Sequence, residues 1–213
     1  MDIVDPAVER YMRDLQARHD EPVLLEMEAH AAENDFPIVN RLVGVTLEVL
    51  ARSIGARRVV ELGSGFGYSA YWFSRAIGVG EDRELHLTDG DDVNAVTAAD
   101  YLGRAGLDGP VTFHVGDAVS TLNGLPGEFD IVYNDIDKHG YPEAWLAARE
   151  RVRVGGMYIC DNVLWSGKVT DPQREDRATS GIREHNTLIA GDPDYLSTIV
   201  PTRDGVMVAL RLR

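Results

Sequence analysis

Two stretches carry the residues best suited to chemistry. The first is Asn134-Asp-Ile-Asp-Lys-His-Gly-Tyr141, and the second is Asp161-Asn-Val-Leu-Trp-Ser-Gly-Lys168. Carboxylates and an asparagine carbonyl are hard oxygen donors. They suit Mg²⁺ or a similar divalent ion and leave coordination positions open for substrate and water. The chain holds one cysteine, Cys160, and no Cys/His cluster of the kind that binds zinc. Lys138, one of only two lysines, stands beside the first acid cluster. A lysine near a cation and partly buried gives up its proton more readily than a free one, which suits a general base. Trp165 and Tyr141 are candidates to wall a substrate ring, with Trp165 equally readable as core. His139 and His185 read as surface residues, and Cys160 as a buried strand residue.

A third stretch, Glu61-Leu-Gly-Ser-Gly-Phe-Gly-Tyr68, spaces Gly63, Gly65 and Gly67 at alternate positions. Glycines between a strand and a helix let the backbone turn tightly and approach a ligand closely. A dinucleotide fingerprint would need glycine at position 68, where Tyr68 stands, and there is no Gly-Lys-Ser/Thr to cradle phosphates. Glu61 would repel a pyrophosphate but suits a ligand bearing an ammonium and a sulfonium, such as S-adenosylmethionine. Asp89 lies 22 residues after Gly67. An acid at this place accepts hydrogen bonds from ribose hydroxyls in nucleoside-binding α/β folds. Asp91 and Asp92 read as caps of the next helix. Asp117-Ala118 falls where an adenine edge would lie, although Asp117 also reads as a plain N-cap.

The elements that must position these residues follow from hydrophobic period and punctuation. Residues 6–33 are polar and helix-prone, restarted by Pro22. Residues 38–54 carry apolar side chains at helical spacing and end near Gly55. Strand–helix alternation follows. Strands are expected at 57–62, 84–88, 110–115, 129–133 and 156–160, and helices at 67–78, 92–105, 141–151 and 175–190. Such alternation gives a parallel sheet with helices on both faces. The last two strands, Tyr195–Val200 and 206–212, are joined only by Pro201-Thr-Arg-Asp-Gly205. So short a link permits only an antiparallel hairpin.

Composition bounds the function. With 213 residues, 44% apolar and 26% charged, the chain reads as one globular domain, 1–213, with a helical segment at 1–54 and an α/β core at 55–213. There are 35 acidic and 21 basic residues, a net charge of −14. Such a balance repels nucleic acid and anionic membranes. Excess acid and scarce lysine fit a high-salt cytoplasm, and equally a GC-rich genome. A single cysteine excludes an intramolecular disulfide and fits a reducing compartment. The acidic Met1-Asp-Ile-Val-Asp-Pro start lacks the features of a signal peptide. No apolar run approaches the ~20 residues of a membrane span. The expectation is a soluble cytoplasmic protein, with a homodimer left open.

Taken together, Glu61-Leu-Gly-Ser-Gly-Phe-Gly-Tyr-Ser69, Asp135-Ile-Asp-Lys138…Tyr141 and Asp161-Asn-Val-Leu-Trp-Ser-Gly-Lys-Val169 resemble the motifs of the cation-dependent O-methyltransferases. These include catechol and caffeoyl-CoA O-methyltransferases and small prokaryotic relatives. The resemblance covers about residues 36–213. It implies a Rossmann-like class I methyltransferase fold, with a mainly parallel seven-stranded sheet closed by an antiparallel hairpin. It also implies S-adenosylmethionine as cofactor, a divalent metal such as Mg²⁺, and a small hydroxylated, catechol-like acceptor. By resemblance, Asp135, Asp161 and Asn162 match the metal ligands and Lys138 the catalytic base. Glu61, Gly63, Ser64, Ser69, Asp89, Ala118 and Asp135 match cofactor-contacting positions; Gly65, Gly67 and Asp117 join them from the loop and strand-end readings. Asn134 departs from the family's apolar residue before the first metal aspartate, and no acyl-CoA-shaping N-terminal extension is recognisable. Two other readings stand beside this one. One is a tRNA hydroxyuridine O-methyltransferase, which the charge disfavours. The other is a non-catalytic S-adenosylmethionine-binding module, which need not have kept the lysine and the acids.

Overall fold

The computed structural model describes residues 4–213, so the first three residues of the acidic N-terminus lie outside the described residues. Three helices come first: α1 (Pro6–Asp14), α2 (Pro22–Glu33) and α3 (Arg41–Ser53). Strands and helices then alternate through β1 (Arg58–Leu62), α4 (Tyr68–Ile77), β2 (Glu84–Asp89), α5 (Asp92–Arg104), β3 (Val111–Val115) and α6 (Ala118–Gly124). They continue through β4 (Phe129–Asn134), α7 (Tyr141–Ala148), β5 (Val152–Cys160) and α8 (Arg177–Ala190), and close with β6 (Tyr195–Val200) and β7 (Val206–Arg211). Among the described residues no helix is long and apolar enough to cross a membrane.

The seven strands form one sheet in the order β3-β2-β1-β4-β5-β7-β6. The first five are parallel, and β7 runs antiparallel to both β5 and β6. The expected fold, including the closing hairpin, is therefore present. Strands covered on both faces read as near-continuous apolar runs, and β1 and β4 do so. Val59 joins a core with Leu47, Tyr71 and Trp72 under α2–α5. Val60 and Leu62 join the opposite core with Leu122, Trp145 and Ile182 under α6–α8. The strand order reverses beside β1, and open α/β sheets bind ligands at the carboxyl ends of strands at such a point.

Local chemistry sets the element ends. Pro22 opens α2, and Asn40, Asp91, Asp117 and Asp176 accept backbone N–H bonds as N-caps. A side-chain oxygen there satisfies a donor the helix cannot. Arg41 holds Glu28 at 2.8 Å and also meets Asp20, and Arg75 reaches Glu48 at 3.2 Å. These pairs tie α2 and α3 to α4. Three elements differ most from the sequence expectation. β5 begins at Val152, because Gly155 (φ +78°) and Gly156 sit in a register shift against β4 rather than before the strand. An irregularity of this kind lets glycines stay inside a strand. α6 was not anticipated; its seven residues bury only Leu122. α7 ends at Ala148, short of residue 151.

His185 is the clearest correction. It lies on α8 but is fully buried, with Nε2 3.0 Å from the Tyr158 hydroxyl and Nδ1 3.1 Å from Asn186 Oδ1. Burial pushes its pKa from 6.5 down to about 4. The neutral ring is therefore the native form, and its contribution is complete above pH 6.5 and lost as pH falls towards 4. That loss is worth about 3 kcal/mol. Denaturant melts at pH 7 and pH 4.5 should show it, and His185→Gln should flatten the dependence by that amount. Parallel pH curves for the two proteins would remove His185 as the cause.

Candidate active site

At the carboxyl ends of β1, β2, β4 and β5 lies a cavity of about 900 Å³. The glycine loop forms its floor. Gly63 has φ +82°, and a Cβ there would lie 2.7 Å from the Asp135 carbonyl oxygen. Only glycine lets the β1 and β4 ends approach this closely. The Gly63 and Ser64 amides donate to the Thr88 carbonyl at 3.1 and 2.9 Å, laying the loop against the end of β2.

Asp89 is held by that loop. Its Oδ2 accepts from the Gly65 amide at 2.9 Å, and its Oδ1 from the Asp91 amide at 2.9 Å and Asn94 Nδ2 at 3.0 Å. Each carboxylate oxygen has two lone pairs, so Oδ1 is filled and Oδ2 keeps one position for a ligand's hydroxyl. Gly63, Ser64, Gly65 and Ser69 line the cavity on this side, and Asp89, Asp117 and Ala118 with them. Asp117 is also the N-cap of α6, bonding the Ser120 amide at 2.7 Å. Glu61 and Gly67 do not line it. Gly67 (φ +88°) turns the chain into α4. Glu61 is fully buried beneath the loop, where Oε1 accepts from Ser69 Oγ and Oε2 has no partner. Burial raises its carboxyl well above the usual range, with the Ser69 bond opposing.

Across the cavity stand Asp135, Lys138, Asp161 and Asn162. Asp161 is 1% exposed, yet neither carboxylate oxygen has a hydrogen-bond partner. Its carbonyl accepts from the Tyr141 hydroxyl at 2.9 Å, which fixes the turn from below. Asn162 follows in the left-handed region, φ +58°. Burial raises the Asp161 carboxyl first and the Asp135 charge second; burial raises Asp135 too, opposed by Lys138. Buried oxygens without partners are costly, and a cation answers both the orphaned oxygens and the repulsion. Among the described residues no group of three or more His, Cys, Asp or Glu side chains gathers for a metal. The donor set here is two carboxylates and an amide, and that hard-oxygen set fits a divalent ion with open positions.

Lys138 begins a 3₁₀ turn, Lys138–Gly140. Its Nζ donates to Asp135 Oδ1 at 2.7 Å and lies 5.2 Å from the centre of the Tyr141 ring. Its side chain is 16% exposed, so it is not a solvated surface ion pair. α8 packs directly on this turn at Gly181, where a Cβ would lie 2.7 Å from the Lys138 carbonyl oxygen. Tyr141 is fully buried under the site and does not wall a substrate ring. Trp165 packs partly buried against the α6–α8 core, with Lys168 Nζ 4.5 Å from its ring centre, and is not among the cavity-lining residues.

The sequence did not reveal the fourth wall. Phe36, Pro37, Ile38 and Val39, between α2 and α3, close one side, and Arg203 and Arg177 stand at the mouth. The Phe-Pro pair in a connection between helices was the only local signal.

Known proteins are similar to this chain in sequence and fold. The O-methyltransferase family model matches residues 11–212. A catechol O-methyltransferase of Niastella koreensis is 30% identical over 215 residues, covering 96% of each chain. Among solved structures, the O-methyltransferase TomG of Streptomyces achromogenes, in complex with S-adenosylmethionine, superposes with a TM-score of 0.88. It is 31% identical and covers 97% of this chain and 96% of its own. An O-methyltransferase from Bacillus cereus, in complex with S-adenosylhomocysteine, gives 0.86 at 27% identity, covering 96% and 97%. A glycine loop over β1, an acid ending β2 and an acid–lysine pair after β4 thus sit in a frame these enzymes share over nearly their whole length, and the chain belongs to the O-methyltransferase family.

Proposed function

We propose that this protein transfers the methyl group of S-adenosylmethionine to a hydroxyl of a small catechol-like acceptor, with a divalent cation held by Asp135, Asp161 and Asn162. The observation that carries the proposal is the buried Asp161 carboxylate with both oxygens unpartnered, next to the Asp135–Lys138 pair at 2.7 Å and facing the glycine loop across one cavity. The cofactor assignment is supported by the S-adenosylmethionine and S-adenosylhomocysteine in the two similar crystal structures. The acceptor class is supported by the catechol O-methyltransferase relative.

The sulfonium methyl is already an excellent electrophile, so the chain's task is to present an oxygen in line with it. Asp89 Oδ2 would accept from a ribose hydroxyl, and Gly63 and Ser64 let the backbone approach the cofactor closely. Asp135, Asp161 and Asn162 would hold the divalent cation, which would supply Lewis acidity towards the acceptor hydroxyl. Lys138 Nζ takes the hydroxyl proton as the oxygen–methyl bond forms and the sulfur–methyl bond breaks, leaving S-adenosylhomocysteine. The −14 charge supports a small acceptor over tRNA, and a single buried cysteine agrees with a reducing cytoplasm.

Methyl transfer to a panel of catechols and to bulk tRNA, each with and without EDTA, tests this. Catechols should be methylated only without chelator, while calorimetry shows cofactor binding largely unchanged by EDTA. Full activity in EDTA would sink the cation, and transfer to tRNA alone would sink the acceptor.

A further inference from the structure

We infer that Arg203 selects acceptors bearing a carboxylate on the side of the molecule away from the reacting hydroxyls. This rests on the methyl-transfer proposal above and names the acceptor's charge. Arg203 sits in the β6–β7 turn and lines the cavity beside Ile38, at the partition from a second cavity of about 590 Å³. One guanidinium nitrogen, Nη1, donates to the Ile38 carbonyl, which ties the side chain to the Phe36–Val39 wall. Among the described residues that is its only hydrogen bond, and it forms no ion pair. Many arginines elsewhere lie against carboxylates, as Arg58 on Glu84, Arg149 on Asp192 and Arg57 on Asp82, and Arg151 and Arg183 are each held by several backbone carbonyls. A chain of net charge −14 has thus left this cation unpaired at the mouth of its cavity. The Nε and Nη2 edge is free to meet a carboxylate with two parallel bonds, the geometry guanidinium favours.

Two further observations agree. Arg203 has φ +51°, a left-handed conformation that glycine or asparagine adopts more cheaply than arginine. The hairpin closes around it through Thr202 N to Val200 O at 2.8 Å and Gly205 N to Thr202 O at 3.0 Å. The turn alone does not ask for an arginine. Second, an anionic acceptor entering here meets Asp135, Asp137 and Asp161, whose charges would repel it. Arg203 is near enough to lower the carboxyl pKa values of Asp135 and Asp161, yet it touches neither. Arg177 lines the same mouth, exposed, and adds a second positive charge.

Three catechols of similar shape and different charge give the test: 3,4-dihydroxyphenylacetate, 4-ethylcatechol and dopamine. Arg203→Gly suits the left-handed turn and should fold; a thermal melt checks that. The native protein should show its lowest KM towards the anion. Arg203→Gly should raise that KM roughly tenfold, while kcat and the KM towards the neutral catechol stay unchanged. Arg203→Lys should recover part of the preference. An equal fall in kcat for all three acceptors would show that Arg203 acts only through the aspartates, and would overturn the inference. A second arm needs no turnover: calorimetry of 3,4-dimethoxyphenylacetate against 4-ethyl-1,2-dimethoxybenzene on the S-adenosylhomocysteine complex. The anion should bind more tightly to the native protein and lose that advantage in Arg203→Gly; equal binding of the two by the native protein overturns the inference. If no catechol is methylated, the acceptor proposal fails while this arm still decides the role of Arg203.

Discussion

Replacing Lys138 with methionine should lower kcat by about 10²- to 10⁴-fold, the usual worth of a positioned general base. Methionine keeps the length and the packing against Tyr141 but has no nitrogen to receive the acceptor proton. The Kd for cofactor should barely move, because Asp89 and the glycine loop lie on the other side of the cavity. The substitution also strips Asp135 of its 2.7 Å partner, so a melt should accompany the kinetics. The pH profile separates the two effects. A lost base removes the rise of kcat with pH, whereas a merely displaced carboxylate leaves that shape intact. Native kcat between pH 6 and 9 would exclude Lys138 as the base.

Asp161→Asn should abolish turnover and yet make the cation-free protein more stable, by about 1–3 kcal/mol. The native carboxylate is buried, repelled by Asp135 and unpartnered at both oxygens; asparagine removes the charge. The sign with pH follows. Both carboxyls are raised above their ordinary 3.8 in the folded state, so folding is penalised increasingly as pH rises from that value, levelling off above about 7 for Asp161. The stability gap between the variant and the native protein should therefore widen with pH. Mg²⁺ acts against this gap. At a hundredfold excess over its Kd it should stabilise the native protein by about 2.7 kcal/mol and the variant hardly at all. A melting temperature indifferent to Mg²⁺ in the native protein, or a variant less stable than the cation-free native chain, would contradict the assignment.

The acids legible in the sequence share one property: each ends a strand or follows it immediately. Asp89, Asp135 and Asp161 each stand at or just past a strand end, so a local pattern of apolar run, acid and turn suffices to find them. Residues whose place depends on distant packing were not legible. His185 and Tyr141 occupy unremarkable helix positions, and only the docking of α7 and α8 onto the sheet buries them. Arg203 meets Ile38 across 165 positions of chain, a pairing no local pattern encodes. Glu61 shows the converse. Its position was legible, but its full burial beneath the loop was not, because that depends on how the loop folds over it.

The burial of Cys160 has a practical consequence. The sole thiol is 0% exposed on β5, next to Asp161, with Asn134 Nδ2 3.3 Å from its sulfur. Burial pushes its pKa far up, so the reactive thiolate is scarce as well as sealed. An alkylating reagent can therefore label the native protein only when the sheet opens between β4 and β7. The rate of that labelling is a built-in clock for core opening, read at one atom beside the active site. When opening and closing are fast relative to labelling, the clock reports the opening free energy directly. A ligand that holds the ends of β4 and β5 together at Asp135 and Asp161 will slow it, so the same thiol measures occupancy of the site without any turnover.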